Sequence, residues 1–157
     1  MTIHAEIQLR EGDAADLDEM MMTMDEAFDA AFGEAWSRAQ CLGILGLPGV
    51  WLTLARQDNE PVGFALSRII FEEAELLLLG VRPSFRGRGI GRALLDRSSA
   101  KAGSLGARRL HLEVREGNRA RLLYDAAGFT QVGSRKGYYR GENGQLFNAA
   151  TLAYSLD

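Results

Sequence analysis

Apolar residues along this chain switch repeatedly between a helical and a strand period. Leu17, Met20, Met21, Met24 and Phe28 recur at three- and four-residue steps behind Gly12-Asp13. That spacing predicts a helix capped by Asp13, with Asp16 and Asp18 in first turns that favour acids. The methionine stripe reads as core, because methionine fills irregular gaps. Residues 5–9 alternate as a short strand ahead of it, and residues 36–45 predict a second helix stopped by Gly46 and Pro48. Strands are expected over 50–56 and 62–70, around the turn Asp58-Asn59-Glu60-Pro61. A strand over 75–81 follows, and its unbroken leucines imply burial on both faces. Then come a helix over 90–103 with Leu94 and Leu95 inward, a strand over 109–114, and a helix over 118–127 stopped by Gly128. Two last strands, 131–139 and 149–156, flank the turn 141–144. The order β-α-α-β-β-β-α-β-α-β-β predicts an α/β fold, a mixed sheet of about seven strands with helices on both faces.

With 157 residues, 46% apolar and 25% charged, the chain is long enough for one domain with its own core, spanning 1–157. One cysteine, Cys41, excludes an internal disulfide and suits a reducing compartment. Two separated histidines give no metal-ligand cluster, so no metal is expected. No signal peptide or membrane-spanning run is visible, and the chain reads as cytoplasmic. Charge changes the picture more. Residues 1–81 carry four basic and fifteen acidic side chains, a net −11, whereas 82–157 carry fourteen and six, a net +8. This polarity suits a polyanionic ligand on the second half and a cationic partner near the first, or simply two solvated faces. No aromatic-interleaved or recognition-helix pattern accompanies the arginines, so nucleic acid is not expected.

The run from Leu76 to Arg92 carries the chemistry. A buried strand leads into Gly87, Gly89 and Gly91 on alternate positions and then into a helix. Bare glycines let the backbone approach a ligand, and a helix start offers unpaired N–H groups to an anion. Arg82, Arg86, Arg88 and Arg92 add countercharge, so the segment reads as a phosphate cradle. It lacks the spacing and acidic ribose partner of a dinucleotide fingerprint, and the lysine of a Walker loop.

Arg86-Gly87-Arg88-Gly89-Ile90-Gly91 resembles the R/Q-x-x-G-x-G/A signature of the GNAT-superfamily acetyltransferases. Residues 110–129, with Leu110, Leu112, Val114, Asn118, Leu123-Tyr124 and Gly128-Phe129, resemble the L-x-L-x-V…N…L-Y…G-F region of the same enzymes. The chain looks most like the ribosomal-protein alanine N-acetyltransferases, which act on protein amino termini. The resemblance implies a GNAT fold with a mostly antiparallel sheet, and acetyl-CoA as co-substrate. It implies Glu113 as general base and Tyr124 as general acid toward departing coenzyme A. Leu79, Gly80 and Val81 would pair with the pantetheine arm, Gly80 leaving room for it. The backbone of residues 86–92 would hold the pyrophosphate, and Asn118 would touch the cofactor. Trp36, in Glu34-Ala35-Trp36-Ser37, and the Tyr138-Tyr139 pair, placed in a loop after the sixth strand, would border the acceptor.

Residue by residue, competing readings stand beside these. Glu113 could be a surface strand glutamate paired with Arg115 or Arg108. Tyr124 could be a packing residue, although Leu122 and Leu123 are expected to serve that need. Three departures from the pattern matter. Asn118 and Tyr124 are six apart rather than seven, about 100° out of phase if both were helical. Ala35 replaces a proline, and Phe147-Asn148 stands where the resembled enzymes carry an acidic pair.

The expected activity is therefore acetylation of a protein amino terminus, that of a ribosomal protein, by direct transfer in a ternary complex. Cys41 lies far away in sequence, with no adjacent histidine to activate it. Acetylation of a small amine or another peptide, and a coenzyme A-binding sensor without catalysis, are the alternatives.

Overall fold

In the computed structural model of the protein, residues 6–157 are described. In chain order the elements are β1 (Gln8–Gly12), α1 (Leu17–Ala27), α2 (Arg38–Leu45), β2 (Val50–Gln57), β3 (Glu60–Ile70), β4 (Glu73–Val81), α3 (Ile90–Ser104), β5 (Arg109–Arg115), α4 (Ala120–Ala126), β6 (Thr130–Arg140) and β7 (Leu146–Ser155). Among the described residues, seven strands form one sheet in the order β1-β2-β3-β4-β5-β7-β6. Among these strands, only β4 and β5 pair in parallel.

The sheet separates two cores. Leu17, Met20 and Met24 of α1 and Cys41 of α2 pack with Leu52, Leu54, Phe64 and Leu66 on one face. Ile90, Leu94 and Leu95 of α3 pack with Leu110, Leu112, Val114, Tyr124 and Leu152 on the other. Alternation along β2 and β3 sends side chains to opposite cores, whereas β5 buries Leu110, Leu112 and Val114 in the α3 core alone, which ties each strand's register to its sequence.

Two irregularities in β4 shape the rest. First, Leu66 pairs with Leu78 but Ser67 pairs with Leu76, so Leu77 is an extra residue bulging from the strand. The bulge flips the face: Ala74 and Leu76 join the α3 core, whereas Leu78 joins the α1 core. Second, the parallel ladder with β5 runs only from Glu73↔Arg109 to Leu76↔Leu112. Beyond it, β4 continues to Val81 and β5 to Arg115 without pairing with each other, and a cleft opens between them.

The element order matches the sequence pattern, with several corrections. Ala5 lies outside the described residues. Asp13 caps a single 3₁₀ turn, Ala14–Asp16, before α1, and completes a reciprocal capping box with Asp16. Ser37 and Gln40 form the equivalent box on α2, leaving Trp36 outside the helix. Asp58 and Asn59 both adopt positive φ, 55° and 59°, so the hairpin turn needs only two residues and Glu60-Pro61 open β3. The leucines of β4 are not all buried: Leu77 and Leu79 are half-exposed, because β5 has parted from them. Tyr138 and Tyr139 lie within β6 rather than in a loop after it. Among the described residues, no helix is long and apolar enough to cross a membrane.

Candidate active site

The parting of β4 and β5 leaves a cavity of about 100 Å³. Its walls are Leu76–Leu79 on one strand, Leu112–Val114 on the other, and Tyr124 of α4, with Trp36, Tyr138 and Tyr139 also lining it. Here the main-chain groups of β4 that face the cleft lack a ladder partner, so they can pair with an extended ligand.

Strand alternation places Glu113. Leu112 and Val114 turn into the α3 core, and Glu113 points to the other face, its side chain only 6% exposed. One carboxylate oxygen accepts a hydrogen bond from Thr151 Oγ1 at 2.6 Å, and the other accepts from Arg135 Nε at 3.1 Å. The Tyr139 hydroxyl donates to the Glu113 carbonyl at 3.2 Å. Arg135 is largely exposed, so its pairing is screened and readily exchanged. The pairing with Arg115 or Arg108 considered from sequence is not made. Arg115 turns instead to Glu34, and Arg108 to Asp157.

Tyr124 is buried in the cavity wall, edge-on to Phe129 with ring centroids 5.9 Å apart. Burial, followed by the nearby Glu34 charge, pushes its phenol far above the ordinary tyrosine range. It is therefore protonated at neutral pH and can donate. Leu122 does not share the packing, being exposed, so Tyr124 itself faces inward from α4. Tyr139 is raised in the same sense by burial and by Glu34. Tyr138 is raised by burial and by Glu113, and packs edge-on against Tyr139 at 4.8 Å.

At the far end of β4, Gly87 and Gly89 adopt φ of +78° and +83°, values that only glycine takes without strain. Nothing lies within 4 Å of where their Cβ atoms would be, so the backbone stands open to a ligand. Gly89 caps α3 with no side-chain hydrogen bond, and the helix ladder begins with Ala93 N–H on the Gly89 carbonyl. The first-turn N–H groups thus face outward, with Ile90 anchored in the core beneath them. Gly91 has another role: a Cβ there would meet Leu123 at 3.3 Å, so it lets α3 lie close on α4.

The arginines are more committed than the sequence suggests. Arg86 donates to the carbonyls of Val81 and Ala27 at 3.2 and 2.8 Å, joining the end of α1 to the end of β4. Arg82 pairs with Glu26 and Glu60, Arg88 reaches Gln57 across the Phe85 ring, and Arg92 pairs with Asp96. Backbone dipoles, more than side chains, therefore shape the cradle. Gly80 also needs rereading. A Cβ there would come within 2.8 Å of Phe64 and 3.2 Å of Ala27, so packing under α1 demands the glycine.

An open strand edge leading to a glycine loop and an uncapped helix start fits a long ligand ending in phosphates. The sequence profile of the acetyltransferase (GNAT) family matches residues 17–129, most of the chain. The chain belongs to the GNAT acetyltransferase family. A [ribosomal protein bS18]-alanine N-acetyltransferase of Haemophilus ducreyi is 35% identical over 132 residues, 83% of this chain and 90% of that protein. The protein of the same name from Haemophilus influenzae is 37% identical over 100 residues, 64% of this chain and 68% of that one. The crystal structure of the ribosomal-protein-S18-alanine N-acetyltransferase from Escherichia coli superposes with a TM-score of 0.85 at 26% identity, covering 97% of this chain and 95% of that one.

Within this GNAT enzyme, the shortened stretch between Asn118 and Tyr124 is absorbed before the helix. Asn118 is not helical: α4 starts at Ala120, whose N–H donates to the Asn118 side chain at 2.8 Å. Both residues line the cavity, so the phase difference expected of two helical residues does not arise. The Asn118 amide donates to Glu34 at 2.7 Å. Cys41 is fully buried away from the cavity, and burial pushes its thiol up, which keeps it protonated. Part of the charge polarity of the sequence is satisfied by pairing between the halves. Arginines and Lys101 of the second half pair with Glu11, Glu26, Glu34, Glu60 and Glu73 of the first.

Sequence reasoning missed Thr151, Arg135 and Glu34. The first two reach Glu113 only through the β5–β7–β6 pairing, which no local pattern encodes.

Proposed function

We propose that the protein transfers an acetyl group from acetyl-CoA to the amino terminus of a protein, the terminal alanine of a ribosomal protein, by direct transfer in a ternary complex. The single observation that carries this reading is one cavity walled by a carboxylate and a phenol where β4 and β5 part. The names of the relatives supply the acceptor class.

The residues that would hold acetyl-CoA are the free β4 edge from Leu77 toward Leu79-Gly80-Val81 and the backbone from Arg86 to Arg92. Val81 contributes less than its neighbours, because its carbonyl already accepts from Arg86. Asn118 would be reached only if its amide left Glu34. When bound, the cofactor supplies an acetyl thioester whose carbonyl carbon accepts the amine and whose sulfur departs.

Glu113 takes the proton from the incoming ammonium at the carboxylate oxygen now facing Arg135, directly or through a water. Thr151 holds the other oxygen and fixes the carboxylate plane. Tyr124 donates its hydroxyl proton toward the leaving sulfur. Trp36, Tyr138 and Tyr139 border the path of the acceptor. The catalytic unit is the one domain, 1–157, working in the cytoplasm without metal, nucleic acid or membrane.

One observation favours a second acceptor. Phe147 packs edge-on against Phe32 at 5.3 Å, and the Asn148 side chain accepts the Gly137 N–H at 2.8 Å. These residues brace β6 and offer the acceptor no acid there, which suits a different peptide terminus. Incubating the protein with acetyl-CoA and peptides differing at the first residue, beside small amines, tests both readings. Mass-spectrometric assignment of acetyl to the α-amine of an alanine peptide supports the ribosomal acceptor. Acetylation of small amines alone overturns the amino-terminal reading.

A further inference from the structure

Glu34 is a carboxylate in the cavity wall that the proton transfers above do not use. It follows Gly33, whose φ of +69° brings the turn so close to Arg140 that a Cβ would overlap its carbonyl. The Glu34 side chain is 10% exposed, and both oxygens are engaged. One accepts from Arg115 Nε at 3.0 Å and the other from Asn118 Nδ2 at 2.7 Å. Arg115 in turn lies over the Phe32 ring at 3.8 Å and near Phe147, which keeps its guanidinium out of water. Asn118 closes the chain of contacts by capping the first N–H of α4. One carboxylate therefore joins the turn before α2, the end of β5 and the start of α4.

The start of α4 needs such a tie. The helix has seven residues, too few to hold on propensity alone, and Arg119 before it supplies no side-chain cap. The junction from β5 is also one residue shorter than the family pattern. We propose that Glu34 is the positioning residue for Tyr124. Through Asn118 and Arg115 it sets the β5–α4 junction, so the tyrosine is in place before the cofactor arrives. The tie to catalysis rests on Tyr124 as proton donor; the tie to α4 does not.

Amide hydrogen exchange of residues 120–126 in the ligand-free protein tests the structural half. Glu34→Ala speeds exchange across α4 by about tenfold or more, the loss of a hydrogen bond to a charged group. Asn118→Ala does the same, and the double variant adds little, because both break one network. Glu34→Gln keeps one acceptor and falls between; it and Asn118→Ala carry the test if Glu34→Ala does not fold. Unchanged α4 exchange in these variants overturns the inference.

Kinetics with acetyl-CoA test the other half. For Glu34→Ala, kcat falls roughly tenfold while the KM for acetyl-CoA stays within about twofold, as misplacement of a proton donor predicts. A tightened KM would mean that Glu34 only sequesters Asn118, and would overturn it. Tyr124→Phe run in parallel separates the two failures. If it is impaired and Glu34→Ala is not, the positioning role is wrong. If neither is impaired, the role of Tyr124 is wrong, and so is the positioning that rests on it.

Discussion

Thr151 donates its hydroxyl to a Glu113 oxygen at 2.6 Å across the β5–β7 pair, where the two residues are direct partners. Glu113 is nearly buried, and its other oxygen faces a largely exposed arginine, so Thr151 is its buried contact. Thr151→Val keeps the shape and removes the donor. The expected result is a stability loss of about 1–3 kcal/mol, the cost of a buried acceptor left unpaired. A several-fold lower kcat follows, with the KM for acetyl-CoA unchanged, and Thr151→Ser restores both. Thermal denaturation and steady-state thiol release check this.

Glu113→Gln and Tyr124→Phe remove the two proposed proton roles with little change in volume. Each should lower kcat by about 10²-fold or more, the usual worth of a positioned acid or base. Acetyl-CoA affinity, read by calorimetry, should stay close to that of the unaltered protein. Full activity in either variant removes that residue from the mechanism.

Gly89→Ala places a side chain where φ is +83° and where the α3 N–H groups face outward. The strain costs about 1–2 kcal/mol in the folded chain. The added methyl stands in the open space of the cradle, so the KM for acetyl-CoA should rise about tenfold or more, as each 1.4 kcal/mol lost is tenfold in affinity. Acetyl-CoA titration of both proteins gives the comparison.

Much of this is legible in the sequence alone. The strand and helix periods around Leu17–Phe28, Leu94-Leu95 and Leu110–Val114 are set by which side chains must be buried, and they fixed element order well. Gly87 and Gly89 were readable because only glycine takes those backbone angles freely. The bulge at Leu77 was not, since one extra residue in a row of four leucines changes no pattern. Nor was the role of Gly80, which depends on Phe64 and Ala27 approaching from elsewhere. Nor was the pairing behind the charge imbalance between the halves. Its partners, such as Arg82 with Glu26 and Arg115 with Glu34, meet only in the folded chain.

His111 sits between Glu73 and Glu75, with nitrogens 3.3 and 3.4 Å from their carboxylates, and Arg68 holds the other side of Glu75. Hydrogen bonding to Glu75 raises the imidazole above its ordinary value, and the same pairing holds Glu75 below the usual carboxylate range. The His111 contribution to stability is complete below about pH 6.5 and fades as pH climbs through the raised value. The Glu75 contribution is complete above about pH 4.3 and is lost as acid titrates it. His111→Gln should therefore lower Tm most near pH 5–6, with the gap narrowing at about pH 9. A gap independent of pH would show that the pair adds no charge-linked stability.

The most direct measurement is thiol release from acetyl-CoA with a basic peptide beginning in alanine, beside the same peptide with its amino terminus blocked. The account predicts release with the free terminus and none with the blocked one. Equal release from both would place the acetyl group elsewhere, and release from neither would contradict transfer to an amino terminus.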